Sequence, residues 1–514
     1  MEWFDDRINN LNAALCAVDD DEAHPLFLAP CLDTITDFSE YVEITFVNAF
    51  GKIIHAYEIV AQLNTRIAEL LQFSELDVLL TFSDTGWPLP DDKLSLEGLA
   101  ALKESSISPI PRDDGDLDYD EDEVEFRFQN KLSHYIHADV EKLSHKFSAS
   151  PISICEAAIE EPVVGTDFSR RMARNVISLL LGAAFGRWDL RCLTESNFVE
   201  LPESPFAELP ACPLSMLTIE SVPVSESTCP NDYPVKVYWN GMLTSDSSHE
   251  ANLSAALHTV SEQIWKTKAS EIESQILSVV SVESLEQYFA NQNHFFSDHL
   301  SRYSKSRRQA PIYWPISTES GSYTLWFYYH RLTDQTLYKA VNDFVDPKLK
   351  ETHGQFADLL ANKDRSSVQE KELAQLTELE SELKQFKADL LEIASFWKPN
   401  LNDGVQITAA PLWKFFRLTK WRNKLKKTWE ELESGKYDWA HLALSTWPDR
   451  VVREKCTTDR SIAIAHDLED ELWEEVEEVS VTKSGRETKK MVWKPRKLSP
   501  SELDAIVEQV KSSG

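Results

Sequence analysis

The sequence predicts a mainly α-helical, multi-domain scaffold with small α+β and β-hairpin insertions and one heptad helix. Three observations carry that prediction. First, Leu376, Leu379, Leu383, Phe386, Leu390, Ile393 and Trp397 step 3, 4, 3, 4, 3, 4, the signature of a heptad seam. Second, β signals are confined to a hairpin over residues 310–330 and short strand-like pieces in 200–248. Third, glycine occurs 14 times in 514 residues, under half its usual share of about 7%, which suits helices joined by short loops. With 42% hydrophobic and 27% charged residues the chain is able to bury a core. Its length corresponds to about three or four domains.

Residues 1–110 read as an acidic, mostly helical N-terminal region. Residues 1–33 look irregular, with an apolar loop from His24 to Pro30. Over 52–72, Ile53, Ile54, Tyr57, Val60, Leu63, Ile67, Leu70 and Leu71 form one apolar helical stripe, and Pro88 and Pro90 break the chain after it. Residues 111–126 form an acidic linker, with nine carboxylates in the thirteen positions 113–125. A calcium loop needs glycine at its sixth position; Gly115 would put Ile110 at the first, where a ligand belongs.

Residues 127–300 read as a helical domain with a Pro/Ser-rich insertion at 200–248. Its first helix, 127–147, carries His134, His137 and His145. The i,i+3 pair His134/His137 suits a metal only with a third ligand, and none stands at a telling spacing, so these are read as structural. Residues 167–189 form a strongly apolar helix. Gly182 and Gly186 lie four apart beside Ala183 and Ala184, a face that admits a second helix closely. Helix returns over 249–302.

Residues 301–350 read as an aromatic hairpin plus a helix near 334–346. Two β-prone aromatic runs flank Ser317–Ser322, and they are read as core rather than as a base-stacking platform. Residues 351–398 are the long heptad helix, ending before Pro399. Its seam packs either within the chain or against another subunit, and an intramolecular helical hairpin is favoured. Residues 399–514 read as a basic, Trp-rich helical domain whose final helix, 500–511, is capped by Ser499 or Ser501.

Formal net charge is −33, which argues against uniform binding to a polyphosphate. The charge is uneven. Residues 1–160 hold 33 acidic and 10 basic side chains; the remainder holds 52 and 42. Within it, residues 411–427 carry seven basic side chains and no acidic one, interleaved with Trp413, Phe415, Phe416 and Trp421. Arg302, Lys305, Arg307 and Arg308 form a second cluster. The 411–427 stretch is either an amphipathic helix with solvated lysines or a nucleic-acid contact, with cations on phosphates and aromatics behind them or on bases.

Seven scattered cysteines without C-x-x-C read as reduced thiols of a cytoplasmic protein. Met1–Asn10 is acidic and lacks an apolar core, so no secretory leader is expected. The longest apolar run, Val176–Gly186, is too short to span a bilayer, so no membrane partner is expected. The chain contains no G-x-G, no G-x-x-x-x-G-K-[ST], no G-x-S-x-G and no H-E-x-x-H. No catalytic, cofactor-binding or metal-ligating residues are assigned. Carboxylates are too abundant for any one pair to mark an active site.

Several segments nevertheless resemble one family. Tyr303-Ser-Lys-Ser-Arg-Arg-Gln-Ala-Pro-Ile-Tyr-Trp314, continuing through Gly321-Ser322 to Tyr328-Tyr-His-Arg-Leu332, is similar to a hallmark of large adenine-specific DNA methyltransferases of phage-defence systems. The nearest are the PglX type of BREX systems, with relatives in DISARM and fused restriction–modification proteins. Leu180–Trp188, Asn402-Asp-Gly-Val405, Tyr437–Ala443, Trp447-Pro-Asp-Arg450, Glu454-Lys-Cys456 and Ser461–His466 belong to the same set. They follow the family's order over roughly residues 170–475. His330, His441 and His466 sit in these motifs and are read as structural.

The resemblance covers the family's C-terminal half. Its catalytic half carries a glycine-containing methyl-donor motif and an Asn-Pro-Pro-Tyr motif that receives the flipped adenine. This chain has no Pro-Pro dipeptide, so no catalytic residue transfers, and alone it is not expected to methylate DNA. The resemblance implies the non-catalytic specificity and scaffold half of a split adenine-N6 DNA methyltransferase of a bacterial phage-defence or restriction–modification system. S-adenosylmethionine would bind a separate catalytic subunit, docked by the helices at 52–72 and 167–189. Further partners would be double-stranded DNA and other defence proteins. DNA contacts are assigned to Arg302, Lys305, Arg307, Arg308, Lys414, Arg417, Lys420 and Arg422. The alternatives are an interaction scaffold that does not touch DNA, or an acidic DNA mimic.

Overall fold

The computed structural model describes residues 27–73, 166–195, 198–199, 208–305, 308–362, 364–481 and 487–513, together with Arg7, His145 and Ser148. The acidic linker and the predicted helix 127–147, except His145, lie outside these residues, as does Arg307. The fold is mainly helical, with small sheets of two or three strands. It divides into two compact units, residues 1–235 with 260–281, and residues 236–259 with 282–514. No described helix is long and apolar enough to cross a membrane.

In the first unit, α1 (Phe38–Leu71), α2 (Thr166–Ala184) and α5 (Ala269–Val279) pack on one another. Ile54 and Ile59 of α1, Val176 and Leu180 of α2, and Ile272 and Ile276 of α5 are buried. Helix α1 starts well before the predicted position 52. Asp37 caps it by accepting from Glu40 N at 3.0 Å, and Phe38 N donates to Gln275 Oε1 at 2.7 Å. The β-branched run through Ile44, Thr45 and Val47 hides this first half from a propensity reading, and packing overrides it. Helix α2 ends earlier than predicted. Gly186 adopts φ +66°, and Gly186 N and Arg187 N donate to Ala183 O and Gly182 O. Gly186 is therefore a helix terminator and not part of a helix-contact face. The segment Leu180–Trp188 is buried throughout. The apolar face of α2, expected to dock a partner, is consumed inside the unit, whereas α1 leaves Ile44, Leu70 and Leu71 exposed. A short helix α3 (Leu190–Thr194) and a two-residue ladder, β1 (Thr218–Ile219) with β2 (Val222–Pro223), complete the unit, with the C-terminal part of α4 (Leu253–Trp265).

The second unit is built on a three-stranded antiparallel sheet ordered β3-β7-β6, from β3 (Met242–Thr244), β6 (Tyr313–Ser317) and β7 (Thr324–Tyr328). The predicted hairpin is β6–β7, in register Trp314↔Phe327 and Ile316↔Leu325. Every residue of both strands is buried, so the aromatics are core, as expected. Helices α6 (Leu285–Ala290) and α7 (Phe295–Arg302) add aromatic cover; Phe289 lies edge-on to Trp326 at 5.2 Å. Beyond α7, β4 (Ser304–Lys305) pairs with β5 (Arg308–Gln309).

The heptad helix is α9 (Ser367–Ala394), opened by a capping box in which Ser366 and Gln369 satisfy each other's backbone N–H. It packs within the chain against α8 (Asp346–Ala361). Leu383, Phe386, Leu390 and Ile393 are buried, and Lys387 Nζ reaches Asp346 Oδ1 at 2.6 Å. The basic–aromatic stretch is not one helix. A 3-10 segment (Ala410–Phe415) leads through extended backbone at Phe416 and Leu418 into α10 (Thr419–Glu433). The C-terminal part also departs from the all-helical expectation. Strands β8 (Trp473–Val481) and β9 (Glu487–Pro495) form a two-stranded ribbon that pairs Glu474 with Lys494 and Glu478 with Lys490. A glutamate-rich strand reads as helix until its lysine-rich partner is placed beside it. Helix α11 (Pro500–Ser513) is capped at Ser499, which exchanges hydrogen bonds with Glu502.

Candidate nucleic-acid interface

Three segments singled out by sequence meet in the second unit around one cavity of about 350 Å³. The β6–β7 turn contributes Thr318 and Glu319. Helix α9 contributes Glu382, Phe386 and Asp389. The basic–aromatic stretch contributes Trp413, Lys414, Phe415, Phe416, Arg417 and Arg422. Phe386, Phe415 and Phe416 are buried and form an aromatic base; Trp413 is half-buried, with Lys426 Nζ 5.3 Å from its ring centre.

The break before α10 is what turns these side chains toward the turn. Buried Gln292 accepts from both Arg417 N, at 2.9 Å, and Leu418 N, at 3.0 Å, supplying partners that the interrupted helix lacks. Arg417 Nη1 then reaches Thr318 O at 3.3 Å, and its side chain lies against Gly321. From the other side, Glu382 accepts from Ser320 N at 2.9 Å, Ser320 Oγ at 2.6 Å and Ser322 Oγ at 3.0 Å. Burial opposes ionisation of Glu382, but these hydrogen bonds outweigh it and hold its carboxyl below the usual range.

The predicted contact residues separate into two places. Lys414, Arg417 and Lys420 are exposed and Arg422 is half-buried; none of the four pairs with a carboxylate among the described residues. Three of them line the cavity, and Lys420 lies on the first turn of α10. Burial, and next the Lys420 charge, push the Lys424 ammonium below its ordinary value. The other cluster lines no part of this cavity. Arg302 ends α7 and is half-buried, Lys305 and Arg308 are cross-strand partners in β4–β5, and Arg308 is exposed. Sequence reasoning missed Gln292, Thr318 and Glu382, whose roles depend on partners 60 or more positions away.

Four of the motifs that carry the family resemblance, Asn402–Val405, Tyr437–Ala443, Trp447–Arg450 and Ser461–His466, are joined to one another. Asp403 accepts from His441 N, His441 Nδ1 and Leu442 N, at 2.9, 3.0 and 2.9 Å. His466 pairs through Nε2 with Asp438 O at 2.7 Å, and Asp438 pairs with Arg450 at 2.6 Å. Burial pushes His466 below its ordinary value, so it is a neutral, structural group at neutral pH. Buried Cys192 and Cys456 are pushed up to about 12 and are thiols, not thiolate nucleophiles. Among the described residues no group of three or more His, Cys, Asp or Glu side chains could hold a metal ion. No protein-family model matches the chain, and no curated protein matches it.

Proposed function

We propose that this chain is the non-catalytic specificity and scaffold half of a split adenine-N6 DNA methyltransferase, in a bacterial phage-defence or restriction–modification system. A cytoplasmic partner would supply the S-adenosylmethionine and adenine pockets, since this chain has neither the G-x-G nor the Pro-Pro that those pockets need. One observation carries DNA contact: Lys414, Arg417, Lys420 and Arg422 have no carboxylate partner among the described residues, in a chain of net charge −33. Cations left unpaired amid so many carboxylates are available to phosphates. The hydrogen bonds joining the Asn402–Val405, Tyr437–Ala443, Trp447–Arg450 and Ser461–His466 motifs support reading the resemblance as one folded set.

The test is adenine methylation by this chain, by its candidate partner and by both together. Methylation that requires both, or whose site preference changes when this chain is added, is the expected result. Equal rate and equal preference from the partner alone overturns the proposal.

A further inference from the structure

Arg417 and Glu382 present opposite charges to one cavity and form no ion pair with each other. The remaining charges are also held apart. Lys414 and Arg422 have no partner among the described residues. Asp389 accepts from Gln385 at 2.9 Å through one oxygen only, and Glu319 has no described partner. Glu382 is occupied by the turn but stays charged, so three cations and three carboxylates line the cavity, and two of the carboxylates, Asp389 and Glu319, keep open oxygens. The complement of such a cavity, with its opposite charges held apart, is a small molecule that carries an anionic group for the cations and hydrogen-bond donors for the open carboxylates. A nucleotide has both, in its phosphate and in the amino or imino hydrogens of its base, and it adds a flat face for an aromatic wall. The volume, about 350 Å³, lies at the low end of the ~300–1,000 Å³ range of small-ligand pockets and suits one such unit rather than a strand.

We infer that this cavity receives a single nucleotide. Its phosphate is held by Lys414, Arg417 and Arg422, and its base lies along Trp413 with its donors turned to Asp389 or Glu319. This deepens the DNA-contact reading and rests on it where the nucleotide belongs to a strand, as one unit leaving the stack. A free mononucleotide has the same chemistry, and the experiment separates the two sources.

The full chain is titrated, by fluorescence anisotropy, with three labelled duplexes of equal length: fully paired, bearing one extrahelical adenine, and bearing an extrahelical abasic unit. Deoxyadenosine monophosphate is titrated separately. The expected result is about tenfold tighter binding of the extrahelical adenine than of the abasic unit, the size of one stacked base, and loss of that preference in Trp413→Ala. Where Trp413→Ala fails to fold, Arg422→Gln, at a half-buried surface position, is expected to weaken the mononucleotide and both extrahelical duplexes together, and unchanged binding of all three overturns the inference. Saturable binding of the mononucleotide without preference among the duplexes supports the cavity and assigns it to the free ligand. Duplex binding that Lys420→Glu weakens, with no preference for the extrahelical base and no mononucleotide binding, overturns the inference and leaves the DNA reading standing. Mononucleotide binding without affinity for any duplex supports the cavity and removes the DNA reading.

Discussion

Glu382 and Arg417 grip the same hairpin turn from two sides without pairing with each other. The carboxylate takes Ser320 N and the Ser320 and Ser322 hydroxyls; the guanidinium takes Thr318 O. The turn is thereby tied both to the heptad helix and to the basic stretch. Both side chains line the cavity, and neither charge is cancelled by the other.

Glu382→Gln should loosen that tie. Replacing a charged acceptor of three hydrogen bonds costs about 1–3 kcal/mol. The native carboxyl lies below its usual range, so its contribution is full above the ordinary Glu value of about 4.3 and is lost as pH falls through the folded value. Urea unfolding of the native chain and the variant should differ at pH 7 and converge as pH is lowered below about 4. A difference that does not change with pH would refute the ionised-carboxylate account.

Lys348→Met should be more damaging than a surface lysine change. Lys348 Nζ lies 2.9 Å from Asp246 Oδ1, and Asp246 is buried. Burial disfavours the Asp246 charge, and the hydrogen bond from Lys348 is the largest of the effects that overcome it. Removing the lysine strands a buried carboxylate, at a cost of about 3 kcal/mol. Adding Asp246→Asn should recover part of that loss, and a double-mutant cycle in urea measures how much.

Gly241→Ala should destabilise the second unit by about 3 kcal/mol, from backbone strain and overpacking together. Gly241 has φ +69°, and an added Cβ would stand 2.5 Å from the Arg331 Cβ. Its carbonyl also accepts from Tyr328 N at the end of β7. A lowered urea midpoint with an unchanged slope is the expected observation.

Lys414→Glu with Lys420→Glu should weaken duplex binding and flatten its salt dependence, by about 0.9 in log–log slope for each phosphate no longer neutralised. Both side chains are exposed and have no described partner, so the fold should survive. An unchanged slope would assign these lysines to solvation alone.

Local periodicity and cap chemistry were enough to determine the heptad helix, the cap of the last helix to Ser499 or Ser501, and the aromatic hairpin. Each of these depends on neighbours a few residues away, so a single sequence records it. The tertiary structure alone decided the rest. At the start of helix α1 the local Asp37 cap is joined by Gln275, 237 positions away, which receives the first N–H. Strand β3 joins the hairpin from the Pro/Ser-rich insertion, and β8 is a strand because β9 sets lysines against its glutamates. Seven cations in residues 411–427 were visible as composition. Their division into cavity wall and helix surface was not, because the break that divides them is satisfied by Gln292, 125 positions away. A hydrogen-bond partner at that separation is chosen by the folded chain, and no local pattern encodes it.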